Sequence, residues 1–122
     1  MKSKAFYVTG LPYVKSSTLG QKMPSPQTAQ IVKDLIQSDV VVIFSKSYCP
    51  YCKLAKEVFG KVGKKFTAIE LDSRDDALDI QEVLEEMTGA RTVPRVFVNG
   101  KCLGGGTDVK NLYDSGKLQT YF

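Results

Sequence analysis

The apolar and polar residues of this chain follow helical periodicity in some segments and strand periodicity in others. Val40–Phe44 is an unbroken apolar run that is typical of a buried strand, and Phe66–Leu71 has the alternation of a second strand. Apolar residues three or four positions apart predict four helices. These begin at Pro26 and at Pro50, and the last two cover Asp75–Met87 and Asp108–Ser115.

The C-terminal third adds a predicted β-hairpin. Val96–Val98 and Cys102–Leu103 read as short strands, and Asn99-Gly100 between them is a strong two-residue hairpin signal. The order helix, strand, helix, strand, helix, strand, strand, helix predicts an α/β fold. We expect a small four-stranded mixed sheet with helices on both faces.

In the first and third predicted helices, the apolar residues form a stripe along one side that we expect to face the core. Gly89 follows the third helix and is expected to cap its C-terminus. The first stripe is Ala29, Ile31, Val32, Leu35 and Ile36, and the third-helix stripe is Ala77, Leu78, Ile80, Val83, Leu84 and Met87.

The chain divides into residues 1–24 and residues 25–122. The first segment lacks periodicity, so we expect a poorly ordered or loosely packed extension. Ser25 before Pro26 is a predicted N-cap that starts the folded domain. Residues 1–33 hold five lysines and no acidic residue. The absence of arginine favours an ordinary tail over a mitochondrial presequence, so the expected location is cytoplasmic, with a mitochondrial one open.

The charge of the chain is concentrated at its N-terminus. The whole sequence carries a net charge of +4, but residues 34–122 hold 12 basic and 13 acidic residues. This near-neutral domain gives no indication of nucleic-acid binding. No stretch has the length and apolarity of a membrane span, so we expect no membrane association.

Two cysteines lie one helical turn apart, directly after a predicted strand and at the start of a helix. The N–H groups at a helix N-terminus favour a thiolate, so Cys49 is placed to attack a disulfide and Cys52 to resolve the product. Three cysteines and no histidine disfavour a zinc site within one chain, and we expect no metal. A structural disulfide is the other alternative, but it would close a very short loop and stabilise little.

Three motifs in sequence resemble those of the dithiol glutaredoxins. They are Cys49-Pro50-Tyr51-Cys52, Thr92-Val93-Pro94 and Gly104-Gly105-Gly106-Thr107-Asp108, and the resemblance covers residues 25–122. Thioredoxins typically have Gly-Pro between the cysteines, and monothiol glutaredoxins have serine for the second one. The resemblance implies a thioredoxin-like fold and a glutathione-dependent thiol–disulfide oxidoreductase.

The resemblance also implies a glutathione site. Pro94 would be cis and would turn the backbone of Val93 outward, where an extended peptide can pair with it. The amides of Thr107 and Asp108 would hold one carboxylate, and Lys46 and Gln81 would reach the other. The implied contacts are Lys46, Tyr51, Gln81, Thr92, Val93, Pro94, Gly105, Thr107 and Asp108.

Plainer interpretations stay open for several of these residues. Gln81 also fits an exposed helical glutamine, and the three glycines fit a flexible turn. Arg91 and Arg95 add positive potential for an anionic tripeptide. Cys102 is expected to be a small apolar residue inside a buried strand.

From the resemblance, the chain is expected to act as a monomer on glutathionylated or disulfide-containing proteins. Donation to one reductase, such as ribonucleotide reductase, is compatible with this activity. Two other functions compete with it. The first is a thioredoxin-like reductant served by another donor. The second is an iron–sulfur cluster shared by two subunits, which the stiff Pro50 disfavours.

Overall fold

The computed structural model describes residues 26–122 and contains the eight predicted elements with two added short turns. The predicted extension 1–24 and the Ser25 cap lie outside the described residues. The elements are α1 Pro26–Gln37, β1 Val41–Ser45, α2 Pro50–Lys61, β2 Thr67–Glu70, α3 Ala77–Thr88, β3 Arg95–Val98, β4 Lys101–Gly104 and α4 Gly106–Asp114, with 3₁₀ turns at Leu71–Ser73 and Leu118–Tyr121.

The strands form one four-stranded sheet in the order β2-β1-β3-β4. Strand β1 pairs in parallel with β2 and antiparallel with β3, so the predicted mixed sheet is confirmed. The hairpin between β3 and β4 turns at Asn99 and Gly100, whose φ angles of 51° and 81° fit a two-residue primed turn. All five residues of β1 are buried, which explains its continuous apolar sequence.

Two apolar clusters cover the two faces of the sheet. On one face α1 and α3 pack against Phe44 and Phe97, whose rings meet edge to face at 5.8 Å. On the other face α2, α4 and the C-terminal turn pack against Ile43 and Val96. Helices therefore lie on both faces, as the element order predicted. None of the helices described is long and apolar enough to cross a bilayer.

Some predicted core positions are wrong. Ile31 of α1 and Leu78 and Met87 of α3 are exposed, with Leu78 keeping 65% of its surface. Leu78 precedes the buried Ile80 by two positions, which is about 200° around a helix, so the two side chains leave opposite sides. The apolar stripe of α3 is wider than the arc that meets the sheet.

Cys102 is also exposed, although its strand was expected to be buried. Strand β4 lies at the edge of the sheet and is only partly covered. Its neighbour Leu103 packs with the α2–α4 cluster, so Cys102 points to the other face. The expectation that Cys102 is a small apolar residue inside a buried strand is therefore wrong. The cap prediction at Gly89 is confirmed, because its φ is 84° and its N–H reaches the Glu85 carbonyl at 2.8 Å.

Candidate active site

Cys49 occupies the N-cap position of α2. Its backbone is extended, and Pro50 follows as the first helical residue, where a missing N–H has no consequence. The Cys49 sulfur accepts the N–H of Cys52 at 3.4 Å. A half-buried thiol thus replaces the oxygen that usually caps a helix, and it satisfies one of the unpaired donors at the helix start.

The surroundings of Cys49 favour its thiolate. Burial alone raises the pKa of the Cys49 thiol, but hydrogen bonds from the Cys52 side chain, the Cys52 N–H and the Tyr51 N–H lower it. The charge of Lys56 lowers it further, and the net pKa lies below the ordinary value. The electrostatic activation expected for a site without histidine therefore comes mainly from groups of α2.

Cys52 has the opposite environment. It is 1% exposed, and burial raises the pKa of its thiol to about 11, with Cys49 adding to the rise. The Lys46 N–H and the Ser45 hydroxyl act in the other direction. At neutral pH Cys52 is therefore held as a protonated thiol beneath its reactive neighbour.

The loop before β3 lies against Cys49. The Val93–Pro94 peptide bond is cis, as the resemblance implied, and the Cys49 thiol is 3.9 Å from the Val93 carbonyl oxygen. Arg95 is 9% exposed, and its Nε donates to the carbonyls of Thr92 and Pro94 at 3.1 and 3.2 Å. Expected only as a source of positive potential, Arg95 also holds this loop in shape.

A shallow groove of about 160 Å³ runs from the first turn of α2 to the start of α4. It brings together seven of the nine residues that the sequence assigned to glutathione. Lys46 and Gln81 are the two that do not line it. The lining consists of Tyr51, Thr92, Val93, Pro94, Arg95, Gly105, Gly106, Thr107 and Asp108.

The glycine run lets α4 start very close to α2. A Cβ on Gly106 would lie 2.6 Å from the Tyr51 carbonyl oxygen, a separation that carbon and oxygen do not tolerate. Gly104 has φ of 109°, and the Asp108 carboxylate fills the space beside it. Asp108 accepts the Gly105 N–H at 2.9 Å. The run is therefore a shaped helix start rather than a loose turn.

Gln81 and Lys46 lie outside the groove. Gln81 is 8% exposed, and its Nε2 donates to the Arg91 carbonyl at 2.9 Å, so the alternative of an exposed helical glutamine is wrong. The charge of Lys46 acts on Asp72. Arg91 is exposed and 3.8 Å from Glu85. Contacts of Lys46 and Gln81 with glutathione stay predictions.

Sequence reasoning missed a polar group beneath Cys52. The buried Ser45 hydroxyl donates to Glu70 Oε1 at 2.5 Å, and Lys56 Nζ lies 2.7 Å from Glu70 Oε2. One signal was present, because Lys56 follows Cys52 by four residues and so lies on the same side of α2. A second missed contact joins Ser47 to Asp72, which accepts both the N–H and the hydroxyl of Ser47.

The cysteines are free thiols. Across residues 26–122, no group of three or more His, Cys, Asp or Glu side chains could hold a metal ion.

Disulfide exchange requires a nucleophilic thiolate and, for an intramolecular product, a second thiol within reach. The chain provides both on one helical turn, in a four-stranded mixed sheet flanked by helices. This fold and this thiol pair define a thiol–disulfide oxidoreductase of the thioredoxin-like class.

Known proteins narrow this class. A sequence model of the glutaredoxin family matches residues 41–103. Glutaredoxin-C4 of Arabidopsis thaliana is 50% identical, over 84% of this chain and 75% of its own length. The mitochondrial glutaredoxin-2 of Bos taurus is 40% identical, over 90% of this chain and 69% of its own.

Solved structures agree with the sequence matches. A wheat glutaredoxin superposes with a TM-score of 0.76 at 47% identity, covering 79% of this chain and 91% of its own. A buckwheat glutaredoxin–glutathione complex superposes with a TM-score of 0.73 at 37% identity, covering 80% and 93%. The chain belongs to the glutaredoxin family, and it is a glutathione-dependent thiol–disulfide oxidoreductase.

Proposed function

We propose that Cys49 is the nucleophile of this activity and that it removes glutathione from proteins. The Cys49 thiolate attacks a protein–glutathione disulfide at the glutathione sulfur, and the protein thiolate leaves. A second glutathione then attacks the Cys49–glutathione adduct and releases glutathione disulfide. The observation that carries this assignment is the Cys52 N–H donated to the Cys49 sulfur at the N-terminus of α2.

Cys52 serves a second, dithiol route in this proposal. When Cys49 is joined to a substrate protein by a disulfide, Cys52 attacks the Cys49 sulfur and the substrate leaves reduced. The product is a Cys49–Cys52 disulfide, which two molecules of glutathione reduce. The free, buried Cys52 thiol one turn from Cys49 supports this role.

We propose that the groove beside Cys49 holds the glutathione part of the substrate. The backbone of Val93 pairs with the tripeptide, and Tyr51, Thr92 and Pro94 form the walls near its sulfur. The amides of Thr107 and Asp108 bind the γ-glutamyl carboxylate. The alignment of these residues along one groove supports the assignment.

The outer parts of the proposed site bind the remaining charged groups of glutathione. Gly105 permits close approach at the start of α4, and the Asp108 carboxylate meets the γ-glutamyl ammonium. Lys46 and Gln81 bind the glycyl carboxylate. The second N–H of the Gln81 amide is available for this role, since only one hydrogen of Nε2 is needed for the Arg91 carbonyl.

The test compares turnover of a glutathione mixed disulfide by the wild-type chain, Cys49→Ser and Cys52→Ser. We expect Cys49→Ser to lose all activity, because serine cannot form the sulfur adduct. Cys52→Ser should retain turnover, because the monothiol route does not use the second thiol. Cys102→Ser is the matched control and should behave as wild type, since Cys102 lies on the edge strand β4.

Two results would contradict the assignment. Activity in Cys49→Ser would remove Cys49 as the nucleophile. An inactive Cys52→Ser that still folds would make the dithiol route obligatory, and the deglutathionylation proposal would fail.

We also propose that the domain covers residues 25–122 and acts as a monomer. It works in the cytoplasm on glutathionylated proteins, and its substrates include a disulfide-forming reductase such as ribonucleotide reductase. Light scattering of the purified chain tests the oligomeric state. Fluorescent fusions of residues 1–122 and 25–122 test the location, and a mitochondrial signal from the longer fusion alone would assign residues 1–24 as a presequence.

A further inference from the structure

Arg95 is a buried cation whose terminal nitrogens are left for a ligand. The side chain is 9% exposed, and its Nε donates to the carbonyls of Thr92 and Pro94. Within residues 26–122, the Nη1 and Nη2 atoms take part in no hydrogen bond or ion pair. Both atoms are donors, and a charge is costly to bury unless it is paired. This cation therefore lacks an anion that a substrate can supply.

The end of the Arg95 side chain reaches the groove beside Cys49 at Gly105. Both Arg95 and Gly105 line that groove. A Cβ on Gly105 would lie 3.2 Å from Arg95 Nη2, so an alanine there would cover this nitrogen. The φ of Gly105 is −98°, which any residue adopts. The backbone therefore does not demand glycine here, but access to Arg95 does.

A positive and a negative group flank the same small space. Asp108 Oδ2 lies 3.9 Å from the Cβ position on Gly105, compared with 3.2 Å for Arg95 Nη2. The Asp108 carboxylate is held in place because it accepts the Gly105 N–H at 2.9 Å. The N–H groups of the first turn of α4 add further donors. An α-amino acid carries a carboxylate and an ammonium on one carbon, so opposite charges this close together suit its two groups.

We propose that Arg95 binds the substrate directly and selects the α-carboxylate of its γ-glutamyl group. The Arg95 Nη atoms donate to this carboxylate together with the amides at the start of α4, while the Asp108 carboxylate takes the ammonium. Hydrogen bonds between a guanidinium and a carboxylate are stronger than those of a neutral amide. Arg95 therefore sets the preference for a γ-glutamyl ligand. This inference rests on the proposed function, since it concerns the groove assigned to glutathione.

Binding the carboxylate is distinct from the support that Arg95 gives to the loop before β3. That support comes from Nε, and its loss would slow the reaction of every substrate. Loss of the Nη contacts would slow only those substrates that carry an α-carboxylate. A series of truncated substrates therefore separates the two roles.

The test measures the transfer of different groups from a fluorescent peptide disulfide to Cys49. The groups are glutathionyl, 4-aminobutyryl-Cys-Gly, which lacks only the α-carboxylate, glutaryl-Cys-Gly, which lacks only the α-ammonium, and Cys-Gly. The Cys49 thiolate bonds to the sulfur of the group, and the peptide leaves as a thiolate, so stopped-flow fluorescence gives a second-order rate constant. All proteins carry Cys52→Ser and Cys102→Ser, which leaves Cys49 as the only thiol. The protein with these two changes is the parent.

In the parent, the glutathionyl group should transfer about tenfold or more faster than 4-aminobutyryl-Cys-Gly, as expected from a charged hydrogen bond. Arg95→Met should lower this carboxylate ratio by about fivefold or more. The ratio of the glutathionyl to the glutaryl rate should stay within about twofold of the parent, because Asp108 still takes the ammonium. A loss that is equal for all the groups reports only the support of the loop.

A second variant and a matched control complete the test. Gly105→Ala keeps Arg95 and its Nε contacts but places a methyl group against Nη2, so it should also lower the carboxylate ratio. This variant decides the question if Arg95→Met does not fold. Arg91→Met removes an exposed arginine from the same loop, outside the groove. Its carboxylate ratio should stay within about twofold of the parent.

An unchanged carboxylate ratio in a folded Arg95→Met, or in Gly105→Ala where Arg95→Met does not fold, would overturn the assignment of Arg95. An equal fall of the ratio in Arg91→Met would also overturn it, because the net charge would then explain the effect. A parent that transfers Cys-Gly as fast as the glutathionyl group would instead overturn the glutathione groove of the proposed function, and the role of Arg95 with it.

Discussion

The two cysteines of the active site lie within one helical turn, yet different parts of the molecule control them. Cys49 is half-buried, and backbone N–H groups at the start of α2 hold its sulfur. Cys52 is buried, and burial together with the neighbouring Cys49 raises the pKa of its thiol to about 11. Hydrogen-bond donors and a lysine of α2 lower the pKa of the attacking thiol, whereas burial raises the pKa of the resolving thiol.

Because of this difference, substitutions should affect the reactivity of the two thiols to different degrees. Any sequence that forms strand, loop and helix in this arrangement presents the same N–H groups to Cys49. The pKa of Cys52 is instead raised mainly by burial, so substitutions that admit water beneath α2 would change it. Nucleophilicity should therefore tolerate substitution better than the resolving step.

Alkylation rates give the largest expected contrast between the two regions. At pH 7 a thiol with a pKa of about 11 has on the order of one molecule in 10⁴ as thiolate. We expect iodoacetamide to modify Cys49 more than about 100 times faster than Cys52. Mass spectrometry of timed samples measures this, with the exposed Cys102 as an internal reference. Labelling of Cys52 before Cys49 would reverse the roles assigned to them.

Gly106→Ala should disturb the groove beside Cys49, because it pushes α4 away from α2. The added Cβ would lie 2.6 Å from the Tyr51 carbonyl oxygen, so backbone must move. We expect a loss of about 1–3 kcal/mol in the free energy of unfolding and a higher KM for the glutathione mixed disulfide. Denaturant titration and steady-state kinetics measure the two effects.

The matched control for this change is Gly60→Ala. Nothing lies within 4 Å of a Cβ at Gly60, which is inside α2. Alanine there should stabilise the protein by about 0.5–1 kcal/mol. Similar losses in the two variants would show that the contact between α2 and α4 does not limit the site.

Lys56→Met should narrow the difference in pKa between the two thiols by acting on Cys49. Its charge helps to keep the pKa of the Cys49 thiol low, so that pKa should rise toward its ordinary value. We expect alkylation of Cys49 at pH 6 to slow about two- to fivefold, as loss of a partly exposed charge does. Lys53→Met on the exposed side of α2 is the control, and an equal effect there would indicate net charge alone.

The smallest effect on stability is expected from Asp72→Asn. Asp72 accepts hydrogen bonds from Ser47 in the loop before Cys49. Hydrogen bonds from Ser47 hold the pKa of Asp72 below its ordinary value. A carboxylate whose pKa is lower in the folded state stabilises the fold at pH values above its unfolded-state pKa of about 3.9. This stabilisation is lost as the pH falls through the folded-state pKa. Wild type should therefore be slightly more stable than Asp72→Asn near pH 6, and the difference should vanish in acid.

Denaturation at several pH values measures this difference, with the exposed Asp75→Asn as control. A difference that persists unchanged in acid would mean that the carboxylate charge does not hold the loop.

The fold and the cysteine pair were predictable because local signals determine them. The apolar run of β1, the Asn99-Gly100 turn and the Gly89 cap each act through a few neighbouring residues, and each is confirmed. The helix limits were within two residues for the same reason.

What the sequence did not predict depends on contacts between distant segments. Ser45 and Glu70 are 25 residues apart and meet only because β1 and β2 pair in one register. The exposure of Leu78 and Cys102 depends on how far α3 extends over the sheet and on which strand lies at its edge. No local pattern carries that information.

The Asn99–Gly100 turn lies at the end of β3 opposite Arg95, about 13 Å away at the rise of a strand. The Asn99 side chain donates to the Tyr121 carbonyl at 2.8 Å, so the C-terminal turn is held at this same end. A fluorescent reporter joined after Phe122 would thus project away from the thiols. In such a fusion the thiol pair would stay accessible to disulfide substrates, as a genetically encoded redox sensor requires.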